Sequence, residues 1–315
     1  MSAVRLGVAG AGAFGRNHLR VIRESGRAEL AGLFDIDAAR AREAAAEFGC
    51  QAFPTLGAMA ASVDAAIVAT PTNTHAEVGC ALLEAGCDVL IEKPIAPDLE
   101  SAARLIDASA GRVLQVGHLE RFNPAVTALR EMVTTPLFFE IHRMSLFTPR
   151  SLDVDVVLDL MIHDLDLVLS MVGEEPVEIR AAGISILSRK VDIANVRLAF
   201  PHGCVANLTA SRVSTEKVRK MRVFQPRQYL SIDYARQDGV CISVSPRQEI
   251  GFQPFPVRKN EPLKLQLDSF LDCVTARTPP LAGGREAALA LRVALDILAK
   301  IEVHAKLVAD SLASR

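Results

Sequence analysis

Gly10-Ala11-Gly12-Ala13-Phe14-Gly15 comes directly after an apolar run, Val4 to Ala9, and opens a segment of helical composition. Each glycine has a physical task. Gly10 permits a tight turn, Gly12 lets the backbone approach a pyrophosphate, and Gly15 lets the following helix pack close to the strand. The helix N-terminus then offers unpaired N–H groups and a favourable dipole to phosphates. The motif alone is weak, and a glycine-rich turn in a nucleotide-free α/β chain would also produce it. Its context argues against that: a second apolar run, Glu29 to Phe34, ends in Asp35, about 20 residues past the last glycine, where a carboxylate accepts both ribose hydroxyls. Asp35 would repel a 2′-phosphate, and Phe34-Asp35-Ile36-Asp37 offers no Arg beside it. The expected cofactor is therefore NAD rather than NADP.

Further short apolar runs follow at Asp64 to Ala69, Asp88 to Ile91 and Arg112 to Val116. Between them lie segments of helical composition such as Asp37 to Phe48 and Thr74 to Ala85, the latter opening on a Thr74–Glu77 capping-box pattern. Apolar strands alternating with helices predict a doubly wound parallel sheet covered on both faces, a Rossmann domain over residues 1–120. The texture then changes. A long helix is expected over Val154 to Val172, and strand-like segments run from Val177 to about Val244, two of them flanking a turn at Pro201-His202-Gly203. Helices are expected over Pro262 to Ala276 and Glu286 to Ala305. Strands gathered together and then helices predict a second α/β domain over 121–315, an α+β arrangement with a large, open, mostly antiparallel sheet and helices on one face.

At 315 residues the chain suits two domains. With 50% apolar residues, 23% charged and a net charge of -2, it is neither disordered in composition nor electrostatically suited to nucleic acid. The lack of Trp and the presence of only two tyrosines, Tyr229 and Tyr234, leave no aromatic platform for bases. No apolar run approaches membrane-spanning length and no secretory leader pattern is present. The six cysteines include no CxxC pair and no His at metal-ligand spacing, so a reducing, cytoplasmic setting without a metal site is expected.

Chemistry in doubly wound folds sits at the carboxyl ends of strands. Thr70-Pro71-Thr72-Asn73-Thr74-His75 follows one such strand, and Glu92-Lys93-Pro94 follows another. A lysine there faces a crevice and can hydrogen-bond a substrate hydroxyl, although most lysines are simply solvated. The expected helix from Val154 is apolar nearly all round, as buried helices are. Yet Asp155, Asp159, His163, Asp166 and Ser170 step by four, four, three and four residues and form one polar stripe. Asp159 and His163 suit a general base with an orienting or substrate-holding carboxylate. From periodicity alone, a stripe that merely faces solvent is the simpler account.

Taken jointly, the glycine motif, Thr70 to His75, Glu92-Lys93-Pro94, and Asp159 with His163-Asp164 resemble the glucose-fructose oxidoreductase / inositol dehydrogenase / MocA (Gfo/Idh/MocA) family, in family order over essentially the whole chain. The resemblance implies hydride transfer from a sugar or polyol carbon to a nicotinamide. His163 would be the general base, Lys93 would hold and polarise the hydroxyl, and Asp159 would bind a neighbouring hydroxyl or support the other two. It implies cofactor contacts from Gly10, Gly12, Ala13, Phe14, Gly15, Asp35, Thr70, Pro71, Asn73, His75, Glu92, Lys93 and Gln115. It also implies a homodimer or homotetramer formed through the open sheet of the second domain.

Val116 to Pro124 is similar to the corresponding stretch of a narrower branch, the bacterial UDP-N-acetylglucosamine 3-dehydrogenases, which prepare a ketone for transamination in the supply of lipid A-type glycolipids. Within it, Glu120 and Arg121 are candidate substrate contacts. Arg143 and Arg150 are further candidates for phosphate or sugar. Between residues 201 and 236 there are seven basic residues (Arg212, Lys217, Arg219, Lys220, Arg222, Arg227, Arg236) against Glu216 and Asp233. They suit a diphosphate, or equally a basic edge strand that resists aggregation. Two rival readings stay open at this point: a dehydrogenase of a free polyol such as myo-inositol, and a non-catalytic NAD-binding regulator on the same scaffold. Retention of Lys93, Asp159 and His163 together speaks against the regulator.

Overall fold

The computed structural model describes residues 3–147 and 154–314; Arg150 lies outside them. The chain divides into two compact units, Met1–Phe122 with Asn260–Ala288, and Asn123–Lys259 with Leu289–Arg315.

The first unit alternates strand and helix: β1 (Val4–Ala9), α1 (Ala13–Ser25), β2 (Ala28–Phe34), α2 (Ala38–Phe48), β3 (Gln51–Ala52), α3 (Leu56–Ala60), β4 (Ala65–Val68), α4 (His75–Glu84), β5 (Asp88–Ile91), α5 (Leu99–Ala108) and β6 (Leu114–Val116). All six strands are parallel, in the order β3-β2-β1-β4-β5-β6. This is the Rossmann order, with its switch point between β1 and β4. Burial on both faces explains why β4 and the Val89–Ile91 stretch of β5 are continuously apolar rather than alternating. The Thr74–Glu77 capping box does not form. The Thr74 hydroxyl instead bonds the Pro71 carbonyl and the Thr70 hydroxyl, closing a short 3-10 turn over Thr72–Thr74.

In the second unit come α6 (Pro124–Met132), β7 (Phe138–Leu146), α7 (Ile162–Val172), β8 (Glu178–Ile184), β9 (Ile193–Ala199), β10 (Val205–Ser214), β11 (Val218–Gln225), β12 (Gln228–Asp233), β13 (Asp238–Val244) and β14 (Ile250–Pro254). Its eight-stranded sheet has the order β14-β13-β12-β11-β7-β10-β9-β8, antiparallel except for β10 on β7. Alternate strand residues such as Phe139, Ile141, Leu208, Met221 and Val223 form one core with Val126 and Leu129 of α6, Leu165 and Val168 of α7, and Ile297.

Two further helices, α8 (Pro262–Ala276) and α9 (Gly284–Ala313), follow. The expectation of an unbroken second domain from residue 121 differs from the structure here. Leu267, Phe270 and Leu271 of α8 are buried in one cluster with Leu19 and Ile22 of α1, so segment 260–288 returns to the first unit. Burying each such side chain is worth about 1.5–3 kcal/mol, and α1 offers the apolar surface to do it. The helix expected over Val154–Val172 is also modified: Val157–Met161 form a π-helical turn before α7 begins.

Candidate active site

The first unit holds a cleft of about 620 Å³ at its switch point, lined by Gly10, Gly12, Ala13 and Phe14 of the glycine turn, by Asp35, Ile36 and Arg40, and by Thr70 and Pro71. Gly10 sits at φ +99°, which a side chain would strain, and a Cβ on Gly15 would lie 1.9 Å from the Gly10 carbonyl oxygen. At Gly12, which faces the cleft, a Cβ would meet nothing within 4 Å. The glycine there keeps empty a space that a pyrophosphate fits. The Asp35 carboxylate accepts from the Ala11 N–H at 2.7 Å and the Asp37 N–H at 2.9 Å, which ties the end of β2 to the turn. These residues fit a dinucleotide.

One expectation about this cleft needs correcting. No Arg stands beside Asp35 in sequence, but the first turn of α2 brings Arg40 Nη1 to 3.5 Å from Asp35 Oδ1 and onto the cleft wall. The sequence signal was there, since a helix capped by Asp37 carries its third residue back over the cap.

Glu92 and Lys93 are half-buried after β5, and Asn73 is exposed in the 3-10 turn. Glu92 Oε1 lies 2.7 Å from His18 Nε2 on α1, and Oε2 accepts the Lys93 N–H at 3.3 Å. Burial would raise the Glu92 carboxyl, but the bond to His18 and the charge of Lys93 outweigh it and hold the group below its ordinary value. His18 was not anticipated, although it stands three residues beyond Gly15 on the same helix face.

His75 is buried, with Nδ1 at 2.9 Å from the Pro94 carbonyl oxygen and Nε2 at 2.9 Å from that of Thr70. It ties the loop after β4 to the loop after β5, and burial pushes its imidazole below its ordinary value. Gln115 is fully buried and its amide donates to the Gln266 carbonyl of α8. Glu120 is 7% exposed in a 3-10 turn, and Arg121 beside it donates to the Leu281 carbonyl at 2.6 Å.

In the second unit Asp159 lies in the π-helical turn and His163 in the first turn of α7, both half-buried. Single π turns inside helices are frequent at functional sites. The neighbouring Asp164 is 1% exposed and receives two hydrogen bonds from Arg143, at 2.7 and 2.8 Å, and one from the Tyr234 hydroxyl at 3.1 Å. Arg143, a candidate substrate contact, is thus committed to a buried ion pair. Upstream, the Asp155 carboxylate accepts the Val191 N–H, and the Arg212 guanidinium donates to the Val154 carbonyl.

Comparison with known proteins decides the family. Residues 4–118 match the oxidoreductase family, NAD-binding Rossmann fold, of Gfo/Idh/MocA type, and residues 137–228 match the Gfo/Idh/MocA C-terminal domain. The chain belongs to the Gfo/Idh/MocA oxidoreductases. It is similar to a UDP-N-acetylglucosamine 3-dehydrogenase of Acidithiobacillus ferrooxidans, with 38% identity over 96% of this chain and 98% of that protein. The solved structure of that enzyme superimposes with a TM-score of 0.91, covering 96% of this chain and 99% of its own. Inositol 2-dehydrogenase 4 of Saccharopolyspora erythraea is 35% identical over 55% of each chain. As in this family's fold, the parallel and antiparallel sheets expected from the sequence are both present. Among the described residues no helix is long and apolar enough to cross a membrane.

Proposed function

We propose that the protein is an NAD-dependent dehydrogenase that oxidises the 3-hydroxyl of UDP-N-acetylglucosamine, giving the 3-keto sugar. What carries this reading is the near full-length likeness to a relative with that activity. The first unit's cleft supports the cofactor half: Gly10, Gly12 and the turn through Gly15 would hold the pyrophosphate, and Asp35 the ribose hydroxyls. Its carboxylate disfavours a 2′-phosphate, which is why NAD is preferred here. The bound nicotinamide supplies the hydride acceptor.

The rest is done by side chains. Lys93 holds the reacting hydroxyl through its ammonium group. An imidazole nitrogen of His163 takes the hydroxyl proton as the carbon is oxidised, and Asp159 holds a neighbouring hydroxyl or steadies that arrangement. The clamp of His18 and the Lys93 N–H on Glu92 orients the loop that carries Lys93.

The protein acts as a homodimer or homotetramer. Cross-strand register lines up Val205, Phe138, Phe224, Tyr229, Ile242 and Phe252 in one row over the face of the large sheet opposite its helical core. Such a row favours cover by a second copy. Six free cysteines, with burial pushing the Cys204 thiol up to about 11, suit a reducing cytoplasm.

The experiment is to follow NADH formation with NAD and UDP-N-acetylglucosamine, with free N-acetylglucosamine and myo-inositol in parallel. A transaminase with glutamate is added in one series to draw off the ketone. Activity with the UDP-sugar alone, falling roughly 10²–10⁴-fold in His163→Ala, supports the proposal. Activity with myo-inositol alone would replace it by polyol oxidation. NAD binding without turnover of any sugar would favour a regulator.

A further inference from the structure

The first unit holds a second cavity, of about 800 Å³, and among the described residues none of its lining borders the cofactor cleft. It lies at the amino end of β6, between the end of α5, the end of α8, the turn that follows and the start of α9. The cofactor cleft follows the carboxyl ends of β1, β2 and β4. In a parallel sheet these are opposite ends, so the two sites are distinct.

Three arginines from three segments border the cavity: Arg112 just before β6, Arg277 just after α8 and Arg285 in the first turn of α9. Arg277 is anchored. Its Nη1 donates to the buried Asp88 carboxylate and its Nη2 to the Gly111 carbonyl at 3.1 Å, while Asp88 also accepts the Val113 N–H at 2.8 Å. Arg277 stands at φ +55° where α8 ends, a left-handed position that glycine usually fills. The side chain kept there at a backbone cost both answers Asp88 and borders the cavity. Gly284 packs so closely on the opposite wall that a Cβ would lie 2.9 Å from Leu114 Cδ2 and 3.0 Å from Ile106 Cγ1. That contact brings Arg285, the next residue, alongside the segment that carries Arg112. Both of these arginines are exposed to solvent.

The rest of the lining narrows the ligand. Asp107 and Glu286 also border the cavity and disfavour a molecule that is anionic all over. They suit one with hydroxyl groups to donate. Leu114, Pro279 and Pro280 offer apolar surface to a ring. A guanidinium fork matches phosphate oxygens two at a time. The volume falls inside the range of about 300–1,000 Å³ usual for small-molecule sites.

We propose that this cavity is a nucleotide-binding site separate from the cofactor cleft. Arg112 and Arg285 bind the phosphate, Asp107 and Glu286 accept ribose hydroxyls, and the base lies against Leu114 and the two prolines. The site does not depend on which sugar the enzyme oxidises.

The test is calorimetric titration of the full-length protein, saturated with NAD so that the cofactor cleft is filled, with AMP, UMP, ribose 5-phosphate and inorganic phosphate. A nucleotide should bind more tightly than ribose 5-phosphate, and ribose 5-phosphate more tightly than phosphate. Arg112→Ala and Arg285→Ala should each weaken the nucleotide by at least about tenfold, with the affinity for NAD unchanged. Ala110→Trp, which adds bulk to the cavity wall without changing its charge, should weaken it as well. Arg180→Ala, exposed on β8, serves as the control and should bind as the parent does. A parent protein that binds none of the four compounds would overturn the site. Full nucleotide affinity in both arginine variants would also overturn it, because the binding would then lie elsewhere. Phosphate bound as tightly as either nucleotide would mean an anion site alone and would overturn the ligand class. Should an arginine variant lower the melting temperature, Ala110→Trp decides: weakened nucleotide binding at an unchanged melting temperature supports the cavity, and full affinity overturns it.

Discussion

Arg143 grips Asp164 through two parallel hydrogen bonds, Nε to Oδ2 at 2.7 Å and Nη2 to Oδ1 at 2.8 Å, with both side chains almost wholly shielded from water. The Arg143 guanidinium also lies 5.1 Å from the Tyr234 ring centroid, and the Tyr234 hydroxyl donates to the same carboxylate. Removing one partner would leave a buried charge uncompensated, at a cost of about 3–5 kcal/mol. Arg143→Ala and Asp164→Asn should therefore each lower urea resistance markedly. The double replacement Arg143→Met with Asp164→Leu should recover part of the loss, because it buries no charge. A stable Arg143→Ala that had lost only sugar affinity would instead assign Arg143 a ligand role.

Asp35 and Arg40 together set the cofactor preference. Asp35→Ala removes the acceptor for the ribose hydroxyls and the repulsion of a 2′-phosphate, and leaves Arg40 on the cleft wall. A hydrogen bond to a charged group is worth about 1.5–3 kcal/mol, so NAD affinity should fall roughly tenfold or more while NADP affinity rises. Adding Arg40→Ala should abolish the gain for NADP. Isothermal titration with both cofactors reads this directly, and an Asp35→Ala variant that still prefers NAD would show that preference lies elsewhere.

Two glycines of one motif should fail differently. Gly15→Ala places a Cβ against the Gly10 carbonyl and must push α1 away from β1, so the melting temperature should fall along with NAD binding. At Gly12 a Cβ would meet nothing in the protein, so the Gly12→Val side chain is expected to extend into the cleft instead. The melting temperature of this variant without cofactor should stay near that of the parent while NAD binding is lost. Equal unfolding of the two variants would mean that Gly12 is structural.

The doubly wound sheet and the glycine turn were legible because both depend on short-range signals: apolar runs of strand length, and glycines a few residues apart. The directions of polar side chains were not. His75 and Arg121 stand in segments that read as ligand-facing, yet their partners are the Pro94 and Leu281 carbonyls, 19 and 160 residues away. Gln115 is turned inward for the same kind of reason. An amphipathic helix such as α8 shows which face it buries but not in which core. The π turn at Val157–Met161 leaves the same hydrophobic composition as an α-helix, so only the fold reveals it. The basic stretch from 201 to 236 looked uniform, but strand register sets Arg222 against Glu140 while Arg212 is buried beside Asp192.

Asp192 provides a pH test. Its carboxylate is fully buried, which alone would raise its pKa, but it accepts the Ser188 hydroxyl and the N–H groups of Ser188, Ile186 and Leu187 and is held down to about 2 from an ordinary 3.8. A group depressed in the folded state stabilises above its unfolded pKa and loses that contribution as pH falls through the folded value. The loop between β8 and β9 should therefore keep its protection down to about pH 4 and lose it toward about pH 2. Amide exchange at Ile186, Leu187 and Ser188, corrected for intrinsic rates, measures this. Asp192→Asn should show weak protection of the same amides already at neutral pH. Because the Val156 N–H donates to the Val191 carbonyl and the Val191 N–H to Asp155, loosening this loop also loosens the entry to the turn that carries Asp159. Protection at Val156 should fall together with the loop's, and independent behaviour of the two would show that the loop does not support that turn.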